Sequence, residues 1–412
     1  MDAKPTPRSD LREGESTAGS APHLRRLNID RMLAFIMDQP GPFTRAQLTQ
    51  ATGLSAPTVG SVVNRLIRAG IVRELGTGPS RGGRRPAFMD FNAQHALVGG
   101  IDLGPTRTRM AVADLNGEVL ARGVIPTPSG LDPQGLLHHI AEAMRSLMRQ
   151  AKVEDGRLFA VGAGAPGAVD RRMGSVVALA PNLQGWTDVP MGAILEGEFG
   201  APVVLENDVN LAVLGERWKG AARGHDTCAF ISVGTGIGAG LVVGGELHRG
   251  HHSLAGEIGL MCMGAEYLGK DFGTKGCLET LAGLKALGER SGGPLGASGQ
   301  WLAELFEAAR RGEAPARQAV GDVARLLGMA TASLSVVLDP SLVVLGGSLA
   351  MQGEPLLADV RRIVGQIVPR PPEIVVSALD KEAPLWGCLL LSTTEARFRL
   401  RRTLSRATTS EA

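Results

Sequence analysis

The sequence predicts an α/β protein in which a small helical head precedes a larger body of alternating strands and helices. Three observations carry that reading. Residues 21–90 hold ten arginines and no lysine against Asp30, Asp38, Glu74 and Asp90, a net charge of +6, whereas the 412-residue chain totals only +2, which leaves −4 for the remainder. Two short helix signals in the same stretch flank a glycine turn. From about residue 96 onward, short apolar runs alternate with amphipathic stretches of helical period. A basic module joined to a mildly acidic one points to two different partners, the first a polyanion.

Composition narrows the class. At 44% hydrophobic residues the chain has ample material for packed cores, and roughly 100 to 200 residues per domain gives an expectation of two to four domains. A collagen, a disordered tail protein and a disulfide-stapled miniprotein are excluded. There are four cysteines (Cys228, Cys262, Cys277, Cys388), no secretory leader pattern and no run of about 18 apolar residues. The expected setting is cytoplasmic and thiol-reduced, with no membrane.

Residues 1–22, with Pro5, Pro7, Gly14, Gly19 and Ser20, lack hydrophobic periodicity and read as a disordered tail. The head is expected over 23–92. Leu27, Met32, Leu33, Phe35 and Ile36 mark a first helix that stops at Pro40-Gly41-Pro42. Thr44 caps a short second helix ended by Gly53, and Ser55 caps a third, with Pro57 in its first turn and Val59, Val62, Val63, Leu66 and Ile67 as its apolar face. Strands at Ile71–Glu74 and Ala87–Phe91 enclose a loop rich in glycine and arginine. A β-ribbon behind a helix-turn-helix has the shape of a wing, and the combination is a DNA-binding signal. Thr49 stands where a small alanine is usual, four residues before Gly53.

If the third helix enters a major groove, Ser55, Thr58, Ser61, Asn64 and Arg65 are the residues expected at base edges or beside them, and Arg81, Arg84 and Arg85 form a wing suited to phosphates or a narrow A·T-rich minor groove. The alternatives are an ordinary polar helix face and a solvated basic loop.

In the body, runs at Leu97–Ile101, Arg109–Asp114, Phe159–Ala163, Val203–Leu205, Ala229–Val233, Gly240–Val243 and Leu342–Leu345 read as strands, with helices around 133–151, 209–219, 276–290, 301–311 and 316–338. Asp102-Leu103-Gly104-Pro105-Thr106 and Gly234-Thr235-Gly236-Ile237-Gly238 each follow an apolar strand, where small residues let backbone N–H groups approach a phosphate. Two such loops fit an internal duplication. Glu206-Asn207-Asp208 opens a helix: Asp208 reads as a general base and Asn207 as a donor and acceptor for a polyol, or the run simply caps the helix. Glu257 and Glu279, each near glycines, could accept from sugar hydroxyls or be surface carboxylates. The arginines at 397, 399, 401, 402 and 406 end an expected helix and read as a frayed, solvated terminus.

In this order, D-x-G-x-T, P-G-x-V-D (Pro166, Gly167, Val169, Asp170), P-N-L (181–183), E-N-D-x-N, G-T-G-I-G-A-G, A-G-E-I-G and G-C-L-E behind a winged helix-turn-helix resemble the ROK family of repressors, open reading frames and sugar kinases, over about residues 25–395. The resemblance implies an actin-like, hexokinase-like two-lobed ATPase fold, with lobe 1 over 96–205 completed by a C-terminal helix at 385–405, and lobe 2 over 206–384. It implies Asn207, Asp208, Glu257 and Glu279 as sugar contacts, with Asp208 as the base of the kinases. It also implies Asp102, Gly104, Thr106, Gly234, Thr235, Gly236 and Gly238 as phosphate-binding residues and Gly346-Gly347 beside the nucleotide.

Departures matter as much. The family's D-x-G-G-T-K becomes Asp102-Leu103-Gly104-Pro105-Thr106-Arg107, and proline supplies no N–H to a phosphate. The family's zinc ligands fall on Leu260, Lys270, Phe272 and Cys277, so no metal is expected, a substitute set from His251, His252, Cys262 and Cys277 being the minor alternative. The histidine replaced by Leu260 also touches the sugar in zinc-containing members. The leading expectation is therefore a sugar-responsive transcriptional regulator of carbohydrate metabolism, a repressor binding a double-stranded operator as a homodimer or dimer of dimers, with no required cofactor. The alternatives are an ATP- and Mg²⁺-dependent sugar kinase and an architectural DNA-binding protein.

Overall fold

The computed structural model describes residues 21–39, 41–77, 86–154, 156–170, 173–178, 183, 185–292, 299–353 and 356–407. The tail at 1–20, the wing arginines Arg81, Arg84 and Arg85, and Pro181 and Asn182 lie outside the described residues. The chain divides into two compact units, residues 96–396 and residues 1–95 with 397–412.

The smaller unit is built from α1 (Ala21–Asp38), β1 (Phe43–Thr44), α2 (Arg45–Thr52), α3 (Ala56–Arg68), β2 (Val72–Thr77) and β3 (Ala87–Phe91). A capping box starts α2: the Thr44 hydroxyl accepts from Gln47 N–H at 3.3 Å and Gln47 Oε1 accepts from Thr44 N–H at 2.8 Å. Gly53, in the left-handed region, ends it. Val59, Val63 and Leu66 bury one face of α3, and Met32, Leu33 and Ile36 of α1 and Leu48 of α2 are buried as well. The antiparallel ribbon β2–β3 gains β1 as a third strand, an addition too short to show as a sequence run.

The C-terminal segment corrects an expectation. Helix α13 (Ala383–Ala407) continues past Arg397 as part of the smaller unit. There Arg401 grips Asp30 of α1 with two hydrogen bonds, at 2.9 and 2.7 Å, and Arg397 pairs with Asp38 at 3.4 Å. These arginines are anchored rather than frayed. The ion pairs join residues 371 and 359 positions apart, so no local pattern announces them.

The larger unit contains the same sheet twice. The first half comprises β4 (Leu97–Leu103), β5 (Arg107–Asp114), β6 (Val119–Pro126), α4 (Pro133–Gln150), β7 (Leu158–Ala165), β8 (Ala168–Asp170), β9 (Ser175–Ala178), α5 (Met191–Phe199) and β10 (Val203–Asn207). After α6 (Asp208–Lys219), the second half comprises β11 (Cys228–Val233), β12 (Ile237–Val243), β13 (Glu246–Leu247), α7 (Cys277–Ala282), α8 (Leu284–Ser291), α9 (Gly299–Arg310), α10 (Ala314–Leu338), β14 (Leu342–Gly346), α11 (Gly347–Ala350), α12 (Leu356–Ile367) and β15 (Glu373–Val376). The sheet orders are β10-β7-β4-β5-β6 and β13-β12-β11-β14-β15. In each, the first strand pairs antiparallel with the second and parallel with the fourth. The duplicated topology makes the β4–β5 turn and the β11–β12 turn equivalent, and these carry the two glycine loops.

Each sheet has its own core. Leu136, Leu137, Ile140 and Met144 of α4 cover the first sheet, and Val320, Val323, Ala324 and Leu327 of α10 cover the second. By length and composition α10 alone among the described helices could cross a membrane, yet 56% of its apolar window is buried in this core. The expected helix at 276–290 is two helices, broken where Gly283 leaves the helical conformation.

Candidate functional site

On α3 the buried Val59, Val63 and Leu66 leave Ser61 and Asn64 exposed on the outer face. Ser55 and Thr58 are engaged in the cap: Ser55 Oγ accepts from Thr58 N–H at 3.4 Å and the two hydroxyls lie 2.8 Å apart. Asn64 Oδ1 accepts from Arg45 Nη2 at 2.8 Å, and Arg45 also faces Glu74 of β2 at 3.7 Å. Arg65 is partly buried. Ser61 and Asn64 are thus the exposed members of the expected set along α3 itself, and Arg45, absent from the sequence expectation, links α3 to β2.

In the larger unit, one cavity of about 330 Å³ gathers Asn207, Asp208, Glu257 and Glu279 with Gly234, Thr235, Gly236, Gly238 and Gly347. Residues distant in sequence converge in part because the β11–β12 loop, the start of α6 and Gly347 each follow a strand end, where open α/β sheets place ligands. Gly256 explains how the Glu257 loop comes so close: its φ is +94°, and a Cβ there would lie 1.9 Å from Ala239 O. Asp102, Gly104, Thr106 and Gly346 do not line the cavity; Pro105, Pro166, Gly167, Leu260, Lys275 and Ser348 do. Lys275 and Ser348 escaped sequence reasoning because nothing in their local context sets them apart.

Asn207 caps the helix, the second of the two readings of this run. Its Oδ1 caps α6 by accepting from Val209 and Asn210 N–H at 2.9 and 3.0 Å, and its Nδ2 donates to Gly167 O at 3.0 Å. Glu279 Oε2 accepts from Ile237 N–H at 3.0 Å, which ties the wall of the cavity to the second glycine loop. Burial raises every carboxyl here. Asp208 is pushed up to about 7 by burial and by the neighbouring charges of Asp102 and Glu257, against the Val209 N–H that favours the anion. Asp102 rises to about 6, burial outweighing the Arg109 guanidinium 3.4 Å away. Burial, then the Glu279 charge, raises Glu257; burial raises Glu279, opposed by the Ile237 N–H and Lys275.

Neither expected cofactor position is straightforward. Asp102 holds Arg109, which reaches Glu382 at 3.8 Å in turn. At the zinc positions, Lys270 lies over the Tyr267 ring at 5.1 Å, Phe272 packs on the same ring at 6.1 Å, Leu260 lines the cavity and Cys277 is buried at the start of α7. One thiol in four positions does not fit a closed zinc site. Among the described residues, no three His, Cys, Asp or Glu side chains are gathered as metal ligands, the set of His251, His252, Cys262 and Cys277 included.

Comparison with known proteins extends this picture. The xylose repressor of Caldicellulosiruptor bescii is 28% identical over 384 residues, 89% of this chain and 96% of that protein. The glucokinase of Streptomyces coelicolor is 32% identical over 315 residues, 71% of this chain and 96% of that protein. The crystal structure of a ROK family transcriptional regulator, a homologue of the E. coli MLC protein, shares the fold over 93% of this chain and all of that one, at a TM-score of 0.76 and 22% identity. Residues 31–85 match the MarR family. Residues 98–395 match the ROK family, and with the duplicated sheet and the polar cavity between its glycine loops the chain belongs to that family.

Proposed function

We propose that the chain is a sugar-responsive transcriptional regulator, a repressor of carbohydrate-metabolism genes. Its head over 23–92 reads an operator, and its lobes over 96–205 and 206–384 hold a sugar among Asn207, Asp208, Glu257 and Glu279. It works in the cytoplasm as a homodimer. One observation carries this: a winged helix-turn-helix head and a polar cavity of monosaccharide scale share one chain, at the small end of the ~300–1,000 Å³ typical of small-molecule sites. The ligand acts by preferring one of two states of the body; half-sites roughly 34 Å apart tolerate little change in head spacing, and a hundredfold preference is worth about 2.7 kcal/mol.

The probes are D-xylose and D-glucose, after the names of the relatives. Duplexes selected from a random pool on the full chain are titrated by fluorescence anisotropy with and without each sugar. The expected result is a shift in operator affinity of tenfold or more with one of them. Selection of no sequence, or no shift with these or any other pentose, hexose or sugar phosphate, overturns the reading.

A kinase reading has one observation in its favour, the Asp208 carboxyl near 7, which suits a general base. Against it, Asp102 is engaged by Arg109 and Pro105 offers no N–H to a phosphate. ATP and Mg²⁺ would supply the phosphoryl group and its charge neutralisation; the chain's own part would be to orient the sugar and take its proton at Asp208 Oδ. Phosphate transfer to either sugar no faster than that of Asp208→Asn is the expected outcome. A clear wild-type excess would establish the kinase instead.

A further inference from the structure

Two of the segments that supply the polar wall of the cavity are the β10–α6 junction with Asn207 and Asp208 and the loop leading to Glu257. One ion pair joins them. Glu206 is 2% exposed, and both its oxygens are used: Oε2 accepts from Arg249 Nε at 2.7 Å, while Oε1 accepts from Asn207 N–H and from Asn210 Nδ2, each at 3.0 Å. On the other side Arg249 O accepts from Ala255 N–H at 3.0 Å, closing the loop just before Gly256 and Glu257. Neither Glu206 nor Arg249 lines the cavity.

Asn210 shows how firmly Glu206 governs this corner. A carboxylate only accepts, so the amide must turn its nitrogen to Glu206, and its Oδ1 is left buried with no partner among the described residues. An orphan buried acceptor is costly and persists only where a stronger interaction dictates the orientation.

We propose that Arg249 and Glu206 are positioning residues for the sugar: the pair locks Asn207-Asp208 and the Glu257 loop into one ligand-ready geometry without touching the ligand. This rests on the reading of the cavity as a sugar site. The test uses the full chain as wild type, Arg249→Lys, Arg249→Met and the double variant Glu206→Gln with Arg249→Met. The double variant removes both buried charges, so it gives the readout even if Arg249→Met fails to fold with Glu206 uncompensated.

Binding of D-xylose and D-glucose is measured by calorimetry, and amide hydrogen exchange is followed without sugar. Arg249→Met and the double variant are expected to weaken the sugar bound by the wild type at least tenfold, with Arg249→Lys within about threefold of it. Exchange is expected to rise at 255–257 while β14 keeps its protection. Wild-type affinity and unchanged exchange in the double variant overturn the proposal, as does a rise in exchange that includes β14, which marks a general packing role. If the wild type binds neither of these sugars nor any other pentose, hexose or sugar phosphate, the sugar reading fails separately, and local exchange at 255–257 still decides for or against the clamp.

Discussion

Asp208 stores its functional potential as instability. Its carboxyl is raised from an ordinary aspartate value to about 7, chiefly by burial, so the folded chain binds a proton there more tightly than the unfolded chain does. The sign follows: this stabilisation is full below about pH 4, and it is lost as pH rises through about 7. Asp102, raised to about 6, acts in the same direction and loses its part somewhat earlier. Without sugar, melting of the full chain should therefore show a Tm that falls between pH 5.5 and 8, with a shallower fall in Asp208→Asn. At pH 8 that variant should melt about 2–4 °C above wild type while losing sugar binding. A variant that tracks the wild type at both pH values would show that the carboxyl titrates as it does in water.

At the scale of elements, the hydroxyl of Ser55 begins the helix that presents Ser61 and Asn64. Removing such a cap costs about 1 kcal/mol, and in a head of this size about 4–8 °C in Tm. Ser55→Ala should lower the melting temperature of the head's transition and weaken operator binding, while sugar binding in the body stays as it was; equal loss of both activities would argue against independent units. This helix was legible in the sequence because its cap, Pro57 and apolar face are all local signals, and α10 was legible to within two residues at its start for the same reason. The β6 strand was not, since Val119–Pro126 includes Arg122, Gly123 and Pro126 and its alternation of half-buried and exposed positions is that of an edge. In the site, the carboxylates and glycine loops stood out by their neighbours in sequence. Arg249 did not, and Glu206 stood out only as the start of its run, because their pairing lies across the fold, 43 positions apart.

For the whole molecule, the division of charge separates two kinds of binding. The stretch 21–90 carries +6 and the remainder −4, so the head meets DNA through phosphates whose neutralisation releases counterions, whereas a neutral sugar in the body releases none. Operator affinity should fall steeply as salt rises from 50 to 200 mM, and sugar affinity should hardly change. The wing arginines are expected to supply part of that gradient. Replacing Arg84 and Arg85 by alanine should reduce the slope of log K against log salt by about 0.9 for each phosphate no longer neutralised, and more than that if both heads of a dimer engage. A slope and affinity unchanged in the double variant would remove the wing from the interface and leave α3 to bind alone. A slope lowered together with relaxed preference for A·T pairs would place the arginines in the minor groove, where narrow A·T tracts concentrate negative potential.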